Sequence, residues 1–207
     1  MKIPRLQMLK LELKTSRIEA LTDGVFAIAM TILVLSFEID VPKDGPNIEA
    51  LNDVLFNLFP EFLHYVESFF LLSAFWIAHH QHFNFIHKSD RGLLYINIVA
   101  LLFICLIPFT TSLVGDYGDF LPAVLIFEGN MLIVGMIFFY HWEYASRNNR
   151  LIDKELDPII VKINRQNSLV IPVISVAAIL LSFIHPRWGT TVYLSLPILY
   201  LFLRRDR

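Results

Sequence analysis

Four of the seven histidines fall in one short stretch: His79, His80 and His82, with His87 close behind. His79 and His82 stand three residues apart and share a face if the stretch is helical. Imidazoles so placed can ligate a metal, and membrane di-iron enzymes use histidine boxes of this flavour. Such a site needs several boxes on one side of the membrane. By the topology below, His141 is the only other histidine on that side, while His64 and His185 fall opposite. The iron site cannot be filled from this set. No Gly-rich phosphate loop, nucleophile elbow or zinc-protease helix motif is present either. The expectation is therefore a protein that is not an enzyme and carries no cofactor. The lone cysteine, Cys105, lies in an apolar run and excludes a disulfide framework within one chain.

A second feature concerns charge. Residues 17–39 read RIEALTDGVFAIAMTILVLSFEI, with Asp23 at the mouth of a run that is apolar from Val25 to Leu35. A charge inside a membrane helix is costly and is usually paired. Arg17 lies nearly two turns earlier, which is long for a pair on one helix. A partner on another helix is expected instead. Trp76 offers an indole N–H, His79 and His80 offer ring N–H groups, and Asn97 offers an amide. These residues predict a polar cluster joining the first three spans near the inner boundary. The competing reading leaves Asp23 as a cap-like residue in the headgroup layer.

Elements must position these groups, and composition says which. The chain of 207 residues is 56% hydrophobic and 17% charged, against about 25% charged in soluble domains. That balance indicates an integral membrane protein; the net charge of −2 says nothing by itself about a nucleic-acid partner, and none is expected. A spanning helix needs about 20 mostly apolar residues. Six candidates are found, at 18–37, 58–80, 92–113, 120–142, 167–184 and 188–203, within a single domain over 1–207. Six crossings put 15 of the 17 lysines and arginines on one side, leaving only Lys43 and Arg187 on the other. The positive-inside rule then places both termini in the cytoplasm. The N-terminus has a basic start and an Ala27-Ile28-Ala29 triplet like a signal-peptidase site. Cleavage there would cut the first apolar run in half, so a retained helix is expected. The outer loops, 38–57 and 114–119, are acidic; they either enrich cations at a pore mouth or are simply solvated.

On the first helix Ala20, Gly24, Ala27 and Thr31 form a small-residue stripe, which lets membrane helices approach closely. Ile28, Ile32 and Leu35 form a bulky line beside it. Periodicity does not separate lipid contact from a shared axis for that line.

The run Arg17-x3-Leu21-Thr22-Asp23-Gly24-Val25-Phe26-Ala27-Ile28-Ala29-x-Thr31-x-Leu33-Val34-Leu35, then Trp76-x2-His79-His80, then Asn97 and Pro108-Phe109, resembles the bacterial TMEM175 family. The resemblance covers all six spans in order. The family's Phe-Ser-Asp hallmark reads Leu21-Thr22-Asp23 here. The resemblance implies an all-α integral membrane protein of six helices per subunit, with the first helix lining the central pore of a homotetramer. It implies a potassium-permeable channel, open to other monovalent cations, without the Thr-Val-Gly-Tyr-Gly filter, in the bilayer of a bacterial inner membrane. By position, Ile28 is the implied main constriction, with Ile32 and Leu35 as further apolar layers and Thr31 as a selectivity hydroxyl. Arg17, Thr22, Asp23, Trp76, His79, His80 and Asn97 make up the implied network holding the pore helix. The alternative is a proton- or cation-coupled secondary transporter, motivated by Glu67 and Glu128 within the spans.

Overall fold

The computed structural model describes residues 14–37 and 47–195. Helix α1 (Thr15–Ile32) tightens into a 3₁₀ turn at Leu33–Ser36. It is followed by α2 (Ile48–Phe83), α3 (Arg91–Cys105), α4 (Ile107–Tyr117), α5 (Leu121–Ser146), α6 (Pro158–Ser182) and α7 (Pro186–Thr191), which ends in a 3₁₀ turn at Val192–Ser195. No strand occurs among the described residues. One isolated β-bridge, Ile86 with Ile152, joins the α2–α3 and α5–α6 connections. Four stretches are long and apolar enough to cross a membrane: Thr15–Leu35, Arg91–Tyr117, Leu121–Asn149 and Pro158–Ser182. The expected second span, 58–80, lies wholly inside α2. The expected sixth, 188–203, is described only to Ser195; its remainder lies outside the described residues.

Three boundaries differ from the sequence reading, each for a physical reason. Residues 48–57, expected in an acidic outer loop, form the first turns of α2. Glu49, Leu51 and Leu55 are good helix formers, and a span criterion does not see a helix that leaves the bilayer. At 36 residues α2 is about 54 Å long, well beyond a hydrocarbon core of about 30 Å. The third span is not one helix but two, broken at Leu106. Pro108 lacks an N–H, and its ring crowds the carbonyl four residues back. The break frees backbone groups inside an apolar layer, where they need partners. Asn130 Nδ2 on α5 donates to Phe103 O at 3.2 Å. The fifth span starts early, because α6 begins at Pro158 under an Asp157 cap that accepts from Ile159 N at 2.8 Å.

α5 runs through the middle of the bundle. Its Val124, Phe127, Met131 and Val134 are buried against Phe26 and Leu33 of α1, Leu71, Leu72 and Phe75 of α2, and Ile104 and Ile107 at the α3–α4 break. α5 and α6 approach closely at Gly135. A Cβ there would meet the Pro172 ring, at 2.8 Å from Cδ and 3.0 Å from Cγ. That ring is rigid and cannot swing aside. Gly135→Ala should therefore destabilise the bundle by about 1–3 kcal/mol, the usual cost of overpacking, as read by thermal melting of the purified protein. An unchanged melting temperature would mean the two helices can separate freely.

The helix ends near the α2–α3 and α5–α6 connections are tied by Asp90. Its Oδ1 caps α3 at Leu93 N (2.9 Å), and Arg150 Nη2 reaches Oδ2 at 2.9 Å. Tyr144 donates to the same carboxylate at 3.1 Å. Partial burial pushes the Asp90 carboxyl up, but these donors outweigh it and hold it below the ordinary aspartate range. At the opposite ends Arg187 Nη2 meets Asp119 Oδ2 at 2.8 Å.

Candidate functional site

α1 has two faces. Ile18, Thr22, Phe26 and Ala29 are buried, with Leu33 continuing the line into the 3₁₀ turn. The spacing of four, four, three and four is the stripe an α-helix lays against a core. The opposite face carries Ala20, Gly24, Ala27, Ile28, Thr31, Ile32 and Leu35, all exposed in the single chain. Ile28 is 60% exposed and Leu35 77%. The small stripe and the bulky line expected from periodicity therefore share the side turned away from the subunit's own core. Thr31 Oγ1 donates to Ile28 O at 2.8 Å. Its hydroxyl proton is thus used within the helix, and its lone pairs face outward as acceptors.

The polar residues behind α1 form two separate links. In the first, Trp76 Nε1 on α2 donates to Asp23 Oδ1 at 2.9 Å. His80 stacks on the Trp76 ring at 5.9 Å between centroids. In the second, Asn97 Nδ2 on α3 donates to Thr22 Oγ1 at 3.0 Å, and Asn97 Oδ1 meets His79 Nε2 of α2 at 3.1 Å. The second link is buried: Thr22 is 0% exposed, Asn97 1% and His79 3%. Thr22 and Asp23 are adjacent, so one turn of α1 is held from two sides by α2 and α3. Neither His79 nor His80 bonds Asp23; the indole does so instead. Arg17 is exposed and makes no ion pair with Asp23 among the described residues. Leu21, where the family's aromatic would stand, is 49% exposed, so the exchange leaves no hole in the core.

One polar group was not foreseen as it stands. His82 and His141 stack at 5.4 Å with Nδ1 atoms 3.3 Å apart, and His82 Nε2 meets Ser168 Oγ at 3.1 Å. The histidine block thus serves α2–α5 and α2–α6 packing. The only signal was the three-residue spacing of His79 and His82; their partners lie on α3, α5 and α6.

Residues 17–108 match the family described as "Endosomal/lysosomal potassium channel TMEM175". A potassium channel of Chamaesiphon minutus is 31% identical over 147 residues, covering 70% of this chain and 72% of that one. A potassium channel of Streptomyces collinus is 32% identical over 149 residues, covering 70% of each. The chain belongs to the TMEM175 family. The crystal structure of a Chamaesiphon minutus homologue of the lysosomal potassium-selective channel TMEM175 superposes with a TM-score of 0.76. It is 28% identical and covers 93% of this chain and 98% of its own. TMEM175 proteins are ion channels of the membrane rather than enzymes. The match to the family description begins at Arg17 and ends at Pro108. It therefore spans the α1 faces, both polar links and the α3–α4 break.

Proposed function

We propose that this chain forms a passive potassium-permeable channel in which α1 of each of four copies lines a shared axis. The observation that carries the reading is the division of α1: one face is buried and held by Thr22–Asn97–His79 and Asp23–Trp76, while the other leaves Ile28, Thr31, Ile32 and Leu35 exposed in the single chain. Four copies of Ile28 around an axis make a narrow apolar collar, which closes by dewetting rather than by a plug. Such a collar offers no oxygens to replace a hydration shell. Potassium then passes at least partly hydrated, other monovalent cations follow, and selectivity is modest. Thr31 supplies outward hydroxyl oxygens one turn beyond the collar. Ile32 and Leu35 continue the apolar lining. The charge asymmetry supports an orientation with both termini in the cytoplasm, and the likeness to bacterial potassium channels supports a bacterial inner membrane.

The burial of Glu67 and Glu128 inside the bundle favours a second reading, cation- or proton-coupled transport. Purified protein in liposomes separates the two. The channel reading expects potassium to run down its gradient until the gradient is spent, with no uptake driven by an opposing proton or sodium gradient. Uphill uptake driven by either gradient would overturn it.

A further inference from the structure

Among the described residues, two buried carboxyl oxygens have no hydrogen-bond partner, Glu67 Oε1 and Glu128 Oε2, and the Ser175 and Tyr193 hydroxyls near them reach at most each other. The four residues are 3%, 0%, 0% and 1% exposed. They come from α2, α5, α6 and the 3₁₀ turn after α7, and the two carboxyls and the phenol lie within electrostatic reach of one another. The other oxygen of each carboxyl is already used. Glu67 Oε2 meets His64 Nδ1 at 3.4 Å, and Ser182 Oγ donates to Glu128 Oε1 at 2.6 Å. Gly189 packs directly over this group. A Cβ there would collide with Ser182 Oγ and Glu128 Oε1. The cluster is thus enclosed by backbone as well as by side chains.

Two carboxylates in a dry interior are very unfavourable without compensating positive charge. No lysine or arginine supplies it, since the cluster's described neighbours are one imidazole and neutral hydroxyls. Buried carboxyl oxygens left without a donor, within electrostatic reach of one another, call for a bound species that donates or is positive. We infer that each subunit binds a monovalent cation, an alkali ion or a hydron, between Glu67 and Glu128, with Tyr193 and Ser175 completing the oxygen set. The site is separate from the face of α1. Glu67 lies sixteen residues before the inner end of α2 at Phe83, about 24 Å along the helix. Glu128 lies seven residues into α5 from Leu121, about 10 Å. Glu67 thus lies near the middle of α2, and Glu128 in the half of α5 nearer Leu121. The bound charge would hold α2, α5, α6 and the final turn together, and it does not depend on α1 lining a pore.

The test is melting of purified full-length protein, read by intrinsic fluorescence, in potassium, in sodium and in N-methyl-D-glucamine at one ionic strength. A pH series in N-methyl-D-glucamine forms the last arm. Among the described residues, the titratable groups within reach of the pair are His64 on α2 and Tyr193 beyond α7, and α6 contributes the hydroxyls of Ser175 and Ser182. The expected result is a melting temperature that rises with alkali ion or with acid. Glu128→Gln removes one charge with little change of shape. It should abolish that rise or move its half-maximal concentration at least about tenfold, while Ile28→Asn retains it. If Glu128→Gln does not fold, Tyr193→Phe removes one oxygen without touching charge and should weaken the same dependence. A response to potassium or sodium identifies an alkali ion, and a response to acid alone identifies a hydron. Equal melting in every arm, or a full response retained in Glu128→Gln or Tyr193→Phe, would overturn the site.

Discussion

Ile28→Asn should raise potassium conductance about tenfold, equivalent to a barrier about 1.4 kcal/mol lower. The reason is wetting. Four isoleucines facing one another exclude water from a narrow collar, and an ion arriving there must shed hydration with nothing offered in return. An asparagine of similar size supplies an amide that both donates and accepts. Water then persists in the collar, and the ion keeps more of its shell. Because Ile28 is 60% exposed and outside the buried stripe, the exchange should leave folding nearly untouched. Single-channel recording or liposome flux reads the effect directly. A variant with wild-type conductance would place the constriction elsewhere on α1.

Asn97→Leu is expected to act through stability instead. Asn97 is the one residue bonded to both Thr22 and His79. Leucine strands two buried groups at once, and each stranded group costs about 1–3 kcal/mol. Thr22 can recover part of this by turning its hydroxyl to its own helix, so about 2 kcal/mol is expected. For a chain of this size that is about 4–8 °C in melting temperature. Trp76→Phe removes only the more exposed bond to Asp23, and membrane side-chain hydrogen bonds average about 0.6 kcal/mol. The ratio decides which link holds α1. A Trp76→Phe loss equal to that of Asn97→Leu would transfer the role to Asp23.

The α1 faces were legible in sequence because one helix carries them and its period is known. The need of Asp23 for a partner was legible because an isolated charge there is costly. The choice of partner was not. It depends on which face of α2 meets α1, and that is set by Phe75 and Leu72 packing on α5 rather than by any local pattern. The same packing turns His79 toward Asn97 and leaves His80 on the Trp76 ring. The α3–α4 break was signalled by Pro108, yet the apolar run on both sides hid it from a count of spans. The outer turns of α2 were missed because acidic residues between apolar ones read alike in a loop and in a helix outside the bilayer. Glu67 and Glu128 stood out as ionisable groups within spans. Their enclosure by Ser182, Gly189 and Tyr193 joins residues more than fifty positions apart, and no spacing rule reaches that far.

The most direct test of the pore assignment is the reversal potential in mixed potassium and sodium, recorded from wild type and from Ile28→Asn in the same bilayers. If the exposed face of α1 lines the path, the wild-type potential lies toward the potassium equilibrium value. The variant's then moves toward zero as hydrated sodium gains entry. Identical reversal potentials in the two proteins would contradict the account and return the Ile28 line to lipid.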